Sequence, residues 1–170
     1  MITDIDQVRV SIPGPSGVKL KMTMILKLLK DIIGKDLSKF SMPVFTNEPL
    51  SLLQKSAEFM FFNDFLVKGS QEKESAMRMV YVALSQIAPY CVTTGRMAKP
   101  FNPLLGETYE LVTPEFRYFS EMVSHHPPIS TFNVQGENFE ANRIMQTTQQ
   151  FNGKVVKVFD NNWSKIDLIF

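Results

Sequence analysis

The sequence contains little of what several protein classes require. Cys91 is the single cysteine among 170 residues, which excludes an internal disulfide and favours a reducing compartment such as the cytosol. No apolar run approaches the roughly 20 residues that span a bilayer, and the first residues lack the layout of a signal peptide. A net charge of +1 provides no global field that would attract nucleic acid. These absences favour a cytoplasmic protein that contacts membranes only peripherally.

Helical patterns occupy the first half of the chain. Residues 1–18 end in a turn-rich hinge. From Lys19 onward apolar side chains recur at helical spacing, and this helix is expected to end at Gly34, a C-cap glycine. Asn47, followed by Glu48 and Pro49, predicts the start of a helix that runs to about Phe62. Ser70 is expected to open another helix, whose last turn is disturbed by Pro89. Its predicted buried stripe is formed by Met77, Val80, Tyr81, Leu84, Ile87 and Ala88.

Strand patterns follow Gly106. Short runs rich in β-branched and aromatic residues are separated by Gly, Asn and Pro spacers that suit hairpin turns. These runs cover residues 108–112, 116–123, 129–134, 139–147, 155–159 and 164–170. Trp163, at the start of the last run, is expected in the core or at a sheet edge. The order of helices followed by an antiparallel meander predicts an α+β fold whose sheet curls toward a barrel.

Residues 19–39 combine an apolar stripe with positive charge. Six lysines oppose two aspartates, so the segment carries +4. Two interpretations remain open from the residues alone: an ordinary surface helix that packs on the core, or an amphipathic element that lies on a membrane.

Both histidines of the chain stand side by side in Glu121 to Pro128, which reads EMVSHHPP. Two imidazole rings can donate two hydrogen bonds to an anion, and the two prolines that follow restrict the backbone. The residues by themselves leave three alternatives open: an anion site, a metal site, or a structural turn.

This octapeptide resembles the EQVSHHPP fingerprint of the oxysterol-binding-protein-related family, with Met122 where that family commonly has Gln. Lys99 to Glu107, which reads KPFNPLLGE, is similar to a second block of the same family. Residues 42–51 also resemble the family segment that follows the lid. The resemblance runs from about Lys19 to the C-terminus, so residues 19–170 are interpreted as the N-terminal portion of the lipid-binding domain.

The resemblance implies a function and a site. It places a lid at residues 19–40, helices at 47–91 and barrel strands at 99–170 around a lipid tunnel. It implies that Lys99, Asn102, His125 and His126 hold the head group of phosphatidylinositol 4-phosphate, with Lys99 and Asn102 on the loop before the first meander strand. It implies that Ile25, Leu26 and Leu29 of the lid face lipid, and that the protein exchanges this phosphoinositide for a sterol between organelle membranes. No catalyst, cofactor or metal is required.

Other functions compete with this one. Exchange of phosphatidylserine for a phosphoinositide is one alternative, and a non-transferring membrane scaffold or truncated regulator is another. A hydrolase using Ser124 or Cys91 with His125 lacks an acid to orient the histidine. A zinc site lacks a recognised ligand spacing. Glu107 and Glu121 are interpreted as structural acceptors or partners of basic groups.

The length of the chain raises a further expectation. The family's lipid-binding domain is much longer, so the chain is either a fragment or a naturally short member. A partial barrel would leave the last strand with an open edge, and such edges promote association. We therefore expect self-association through that edge and weak lipid transfer.

Overall fold

The computed structural model describes residues 47–93, 96, 98–151 and 155–169, together with Lys30 and Val44. The hinge of residues 1–18 and the predicted lid, including Ile25, Leu26 and Leu29, lie outside the described residues. The boundaries predicted for those parts therefore remain predictions.

The described chain begins with a short strand instead of the helix predicted from Asn47. Strand β1 is Asn47–Ser51, helix α1 is Leu52–Ser56, and a 3₁₀ helix covers Ala57–Phe62. β1 pairs in parallel with β2, Lys99–Phe101, so Lys99 lies in a strand and not on the predicted loop. Asn47 does not cap a helix as predicted, because its side-chain amide donates to the carbonyl of Pro100 (3.2 Å) in this long-range pairing.

Ser51 supplies the actual helix cap. Its hydroxyl accepts from the N–H of Gln54 (3.3 Å), while the Gln54 side chain accepts from the N–H of Ser51 (2.9 Å). This reciprocal capping box satisfies two backbone donors at the helix N-terminus. Its S-x-x-Q signature stands in the sequence, so sequence reasoning could have placed the helix start there.

The next two helices also differ from the prediction. Helix α2 is Asp64–Gln71 and helix α3 is Ser75–Ile87. A second 3₁₀ helix, Ala88–Thr93, follows α3 directly and contains Pro89. Ser70 is therefore in the last turn of α2, where its hydroxyl donates to the carbonyl of Val67 (2.8 Å). The expected interruption at Pro89 is confirmed.

The predicted buried stripe of α3 is wrong. Met77, Val80, Leu84 and Ile87 are exposed, and Ile87 retains 65% of its accessible surface. Ser85 is the buried residue of this helix within the described part of the chain. The spacing predicts correctly that these side chains share one face of a helix, but it does not show whether another element covers that face.

Five antiparallel strands form the main sheet. They are β3 (Thr108–Val112), β4 (Phe116–His125), β5 (Pro128–Gly136), β6 (Phe139–Met145) and β9 (Trp163–Leu168), in the spatial order β3-β4-β5-β6-β9. A separate hairpin joins β7 (Thr147–Phe151) to β8 (Val156–Asp160). The α+β prediction is confirmed, whereas the closed barrel is not seen: the described strands form an open sheet with β3 and β9 at its edges.

The excursion of β7 and β8 interrupts the predicted continuous meander. The backbone N–H of Gln146 donates to the Asn162 side chain (2.8 Å), and the N–H of Asn161 donates to the carbonyl of Gln146 (3.0 Å). These two bonds join the start and end of the excursion, so β9 returns to pair with β6. Trp163 opens β9 at the sheet edge, as one of its two predicted positions, and is half exposed.

The core lies between the sheet and the first helices. Alternate residues of β4 point inward, in keeping with the two-residue period of a strand. Buried side chains from the 3₁₀ helix, α2 and three strands form one cluster: Ala57, Met60, Leu66, Phe116, Tyr118, Phe132, Val134, Phe139 and Ala141. This core fixes β4 and β5, and the predicted histidine site lies at one end of these strands.

Candidate functional site

The two histidines lie in a tight hairpin connection. β4 ends at His125, β5 begins at Pro128, and these two residues are paired across the hairpin. His126 and Pro127 form the two-residue link. The imidazole centroids are 4.7 Å apart, with the rings inclined by 62°. The histidine segment therefore forms a turn, which is one of the three alternatives that the sequence left open. This turn presents both rings at one end of the sheet.

The two rings differ in their surroundings. His126 is exposed, whereas His125 is partly buried. The Nδ1 atom of His125 is buried and has no hydrogen-bond partner among the described residues. A buried ring nitrogen without a partner carries a desolvation cost that a ligand oxygen or a water could relieve.

Lys99 and Asn102 belong to the segment that precedes β3. Lys99 begins β2, and Asn102 follows the end of that strand. Both side chains reach solvent. Desolvation by the surrounding protein lowers the pKa of Lys99 below its ordinary value, and the residue as a whole is exposed.

A rigid turn follows Asn102. The N–H of Leu104 donates to the Glu107 carboxylate (2.9 Å), and the N–H of Glu107 donates to the carbonyl of Leu104 (3.0 Å). Gly106 has φ +77°, in the left-handed region that favours glycine. Glu107 is therefore a structural acceptor, as predicted, and the turn that it closes fixes the course of the chain between β2 and β3.

The turn is attached to β4 just before the histidines. The N–H of Gly106 donates to the carbonyl of Met122 (2.9 Å), and the N–H of Met122 donates to the carbonyl of Glu107 (3.0 Å). Met122 itself is fully buried, so this departure from the family fingerprint is accommodated as a core side chain. The two family blocks thus meet at one end of the sheet, although no hydrogen bond joins Lys99 or Asn102 to either histidine among the described residues.

Four charged residues near this segment were missed by the sequence reasoning. Glu48 is buried and forms ion pairs with Lys55 (2.8 Å) and Arg96 (2.7 Å), and Arg96 also pairs with Glu58 (2.5 Å). The sequence predicts Glu48 at the start of a helix, whereas the residue lies in β1. Since Arg96 lies 48 residues further along the chain, no local pattern reveals this cluster.

Two other findings concern function classes. The described residues contain no group of three or more His, Cys, Asp and Glu side chains placed to hold a metal ion. Within the same part of the chain, no helix is long and apolar enough to cross a membrane.

Comparison with known proteins agrees with the two sequence blocks. The family model described as oxysterol-binding protein matches residues 24–169. The human oxysterol-binding protein-related protein 7 is 42% identical over 150 residues, which are 86% of this chain and 18% of that protein. The chain therefore spans less than a fifth of the length of this relative.

Two solved structures have the same fold over most of the chain. The Osh1 ORD domain in complex with ergosterol aligns with a TM-score of 0.79 and 36% identity, covering 85% of this chain and 35% of that one. The Osh3 ORD in complex with PI(4)P from Saccharomyces cerevisiae aligns with a TM-score of 0.79 and 31% identity, covering 94% and 43%. The chain is thus homologous to lipid-binding domains and not to a class of enzymes. By sequence, motif and fold, it belongs to the oxysterol-binding protein family.

Proposed function

We propose that this chain binds the head group of phosphatidylinositol 4-phosphate with Lys99, Asn102, His125 and His126. The observation that carries the proposal is the pair of hydrogen bonds between the Gly106–Glu107 turn and Met122. Met122 is three residues before His125, so these bonds attach the turn that follows Asn102 to the strand that ends in the histidine hairpin.

The chemistry of the four side chains suits a phosphomonoester. Lysine supplies a mobile positive charge, asparagine supplies an amide donor, and protonated histidine can donate from both ring nitrogens. Charge-assisted hydrogen bonds of this kind are roughly twice as strong as neutral ones. The accessible Lys99 and His126 would meet the anion first, and the unpartnered Nδ1 of His125 would gain a partner.

We propose further that the phosphoinositide exchanges with a sterol at organelle membranes. Related domains crystallised with PI(4)P and with ergosterol support both ligand classes. Exchange of phosphatidylserine for the phosphoinositide is the alternative pair. In the same proposal, residues 19–40 act as a lid in which Ile25, Leu26 and Leu29 face lipid, and the change Leu26→Asp should shorten lipid retention.

A non-transferring membrane scaffold is the second candidate function. The open five-stranded sheet favours it, because the described strands enclose no tunnel. Within the described residues β9 is an edge strand of the sheet, and this edge supports the proposed self-association. Sedimentation velocity combined with a fluorescent-sterol transfer assay separates the candidates: a monomer that transfers sterol rapidly would contradict the scaffold, and a membrane-bound oligomer without transfer would favour it.

The head-group site is tested by co-sedimentation with phosphatidylcholine vesicles that contain or lack phosphatidylinositol 4-phosphate. Replacing His125 and His126 by Ala should weaken binding to the phosphoinositide vesicles at least tenfold, since each lost charge-assisted bond contributes about 1.5–3 kcal/mol. Val123→Ala, at an exposed position of the same strand, serves as the matched control.

Competition with inorganic phosphate in the same vesicle assay distinguishes a general anion site from a lipid head-group site. Competition by inorganic phosphate at low concentration would indicate a general anion site, whereas binding that persists would indicate recognition of the lipid head group. Wild-type binding by the double histidine variant would show that the site assignment is wrong.

A further inference from the structure

A buried ion-pair cluster lies next to the strand that carries Lys99. We call Glu48, Lys55, Glu58 and Arg96 the Glu48 cluster. Glu48 retains 3% of its accessible surface, and the side chains of the other three are mostly buried. The guanidinium of Arg96 uses three nitrogens: Nε and Nη2 donate to Glu48 (3.1 and 2.7 Å), and Nη1 donates to Glu58.

The charges of the Glu48 cluster balance. Two carboxylates face one ammonium and one guanidinium, so the formal charges cancel. Burial alone would raise the pKa of Glu48, but hydrogen bonds and positive charge from Lys55 and Arg96 lower it below its usual value. Burial alone would likewise lower the pKa of Arg96, whereas Glu58 and Glu48 raise it. Both shifts favour the charged forms of Glu48 and Arg96, and removing either side chain leaves the other as a buried charge that has lost a partner.

The cluster joins the helical part of the chain to the head-group segment. Glu48 is on β1, Lys55 is on α1 and Glu58 is in the following 3₁₀ helix. Arg96 instead lies three residues before Lys99. Strand β2 is also held to β1 directly, because Asn47 pairs with Lys99 in the register of the two strands and its side chain donates to the carbonyl of Pro100.

Lys99 takes no part in this ion pairing. Among the described residues, the cluster neutralises Arg96 with two carboxylates and leaves the nearby ammonium of Lys99 without an anionic partner. Arg96 is thereby held three residues before Lys99, and neither carboxylate of the cluster forms a salt bridge with Lys99.

We propose that Glu48 and Arg96 are positioning residues for the head-group site: they hold β2 so that Lys99 and Asn102 present their donors to a phosphorylated lipid head group. This inference rests on the proposed function and extends it to residues that touch no ligand. Preorganised donors bind more tightly because the ordering cost is met during folding.

The test is a double-mutant cycle between Glu48→Gln and Lys99→Ala, read by binding to phosphatidylcholine vesicles that contain phosphatidylinositol 4-phosphate. Glu48→Gln keeps the shape of the side chain and removes its charge. It should weaken binding about tenfold, and Lys99→Ala should weaken it at least tenfold. If the cluster positions Lys99, Glu48→Gln should weaken binding clearly less in the Lys99→Ala background than in the wild-type protein, and the part that remains reports on Asn102.

Hydrogen exchange measures how firmly β2 and the residue after it are held, independently of lipid affinity. The amides of Phe101 and Asn102 should exchange faster in Glu48→Gln, while those at the centre of β4 should keep their protection. Asp167→Asn is the control, because it removes an exposed ion pair with Lys165 (2.7 Å) far along the chain on β9. If Glu48→Gln fails to fold, Glu58→Gln replaces it, since that change leaves the Glu48–Arg96 pair intact; we expect about a threefold loss of binding.

The outcomes separate the inference from the proposed function. Weakened binding by Lys99→Ala with unchanged binding by Glu48→Gln, or losses that add in the double variant, would overturn the positioning role alone. Unchanged binding by both Lys99→Ala and the double histidine variant would overturn the head-group site, and the positioning role with it.

Discussion

Replacing Gly136 by Ala tests the packing at the end of β5. A Cβ at this position would lie 2.7 Å from Cδ1 of the Phe139 ring and closer still to two other ring carbons. Phe139 is 1% exposed and belongs to the main core, so its ring has no open space to enter. Overpacking of this kind costs about 1–3 kcal/mol.

A smaller effect acts in the opposite direction. Replacing Gly by Ala restricts the unfolded chain and stabilises the fold by about 0.4–1 kcal/mol where the backbone is compatible. Gly136 does not have a positive φ, so that gain applies. The steric cost is larger, and we expect Gly136→Ala to lower the free energy of unfolding by about 1–2 kcal/mol.

Urea unfolding measures this change. Circular dichroism follows the sheet, and fluorescence follows Trp163, which pairs with Ile144 of β6. Phe139→Leu shortens the obstructing side chain and provides the second background. In that background Gly136→Ala should cost less than about 0.5 kcal/mol, because the clash has been removed. An equal cost in both backgrounds, or wild-type stability of Gly136→Ala, would refute the steric argument.

Further predictions concern three single residues. Tyr118 is buried and its hydroxyl donates to the carbonyl of Leu53 (3.2 Å), so Tyr118→Phe should cost about 1 kcal/mol in urea unfolding. Burial raises the pKa of Tyr118, so its contribution should be constant below about pH 10 and decline above it; an alkaline stability profile that Tyr118→Phe leaves unchanged would contradict this. The pKa of Glu48 is lowered, so its contribution should be present above about pH 4.5 and be lost on further acidification, and Glu48→Gln should flatten the acid limb of the stability curve. Gly106→Ala should cost about 1 kcal/mol through its φ of +77° alone, since nothing lies within 4 Å of the added Cβ, and an unchanged melting temperature would exclude that strain.

Local chemistry predicted the strands better than the helices. The prediction for β3 was correct, and those for β4 and β5 stopped only one to two residues short of the observed ends. Strand alternation reports directly on burial, since one face of β4 packs on the core. The capping box at Ser51 was equally local, but the prediction gave the helix start to Asn47 instead.

The α+β order, the turn chemistry and the two family blocks were predictable from the sequence, because these features depend on residues close together in the chain. Three features were visible only in the folded chain: Asn47 lies in a parallel strand, Arg96 pairs with Glu48 and Glu58, and the apolar face of α3 is exposed. Each of these depends on partners tens of residues away. A periodic pattern specifies which side chains share a face, whereas the fold decides what that face contacts.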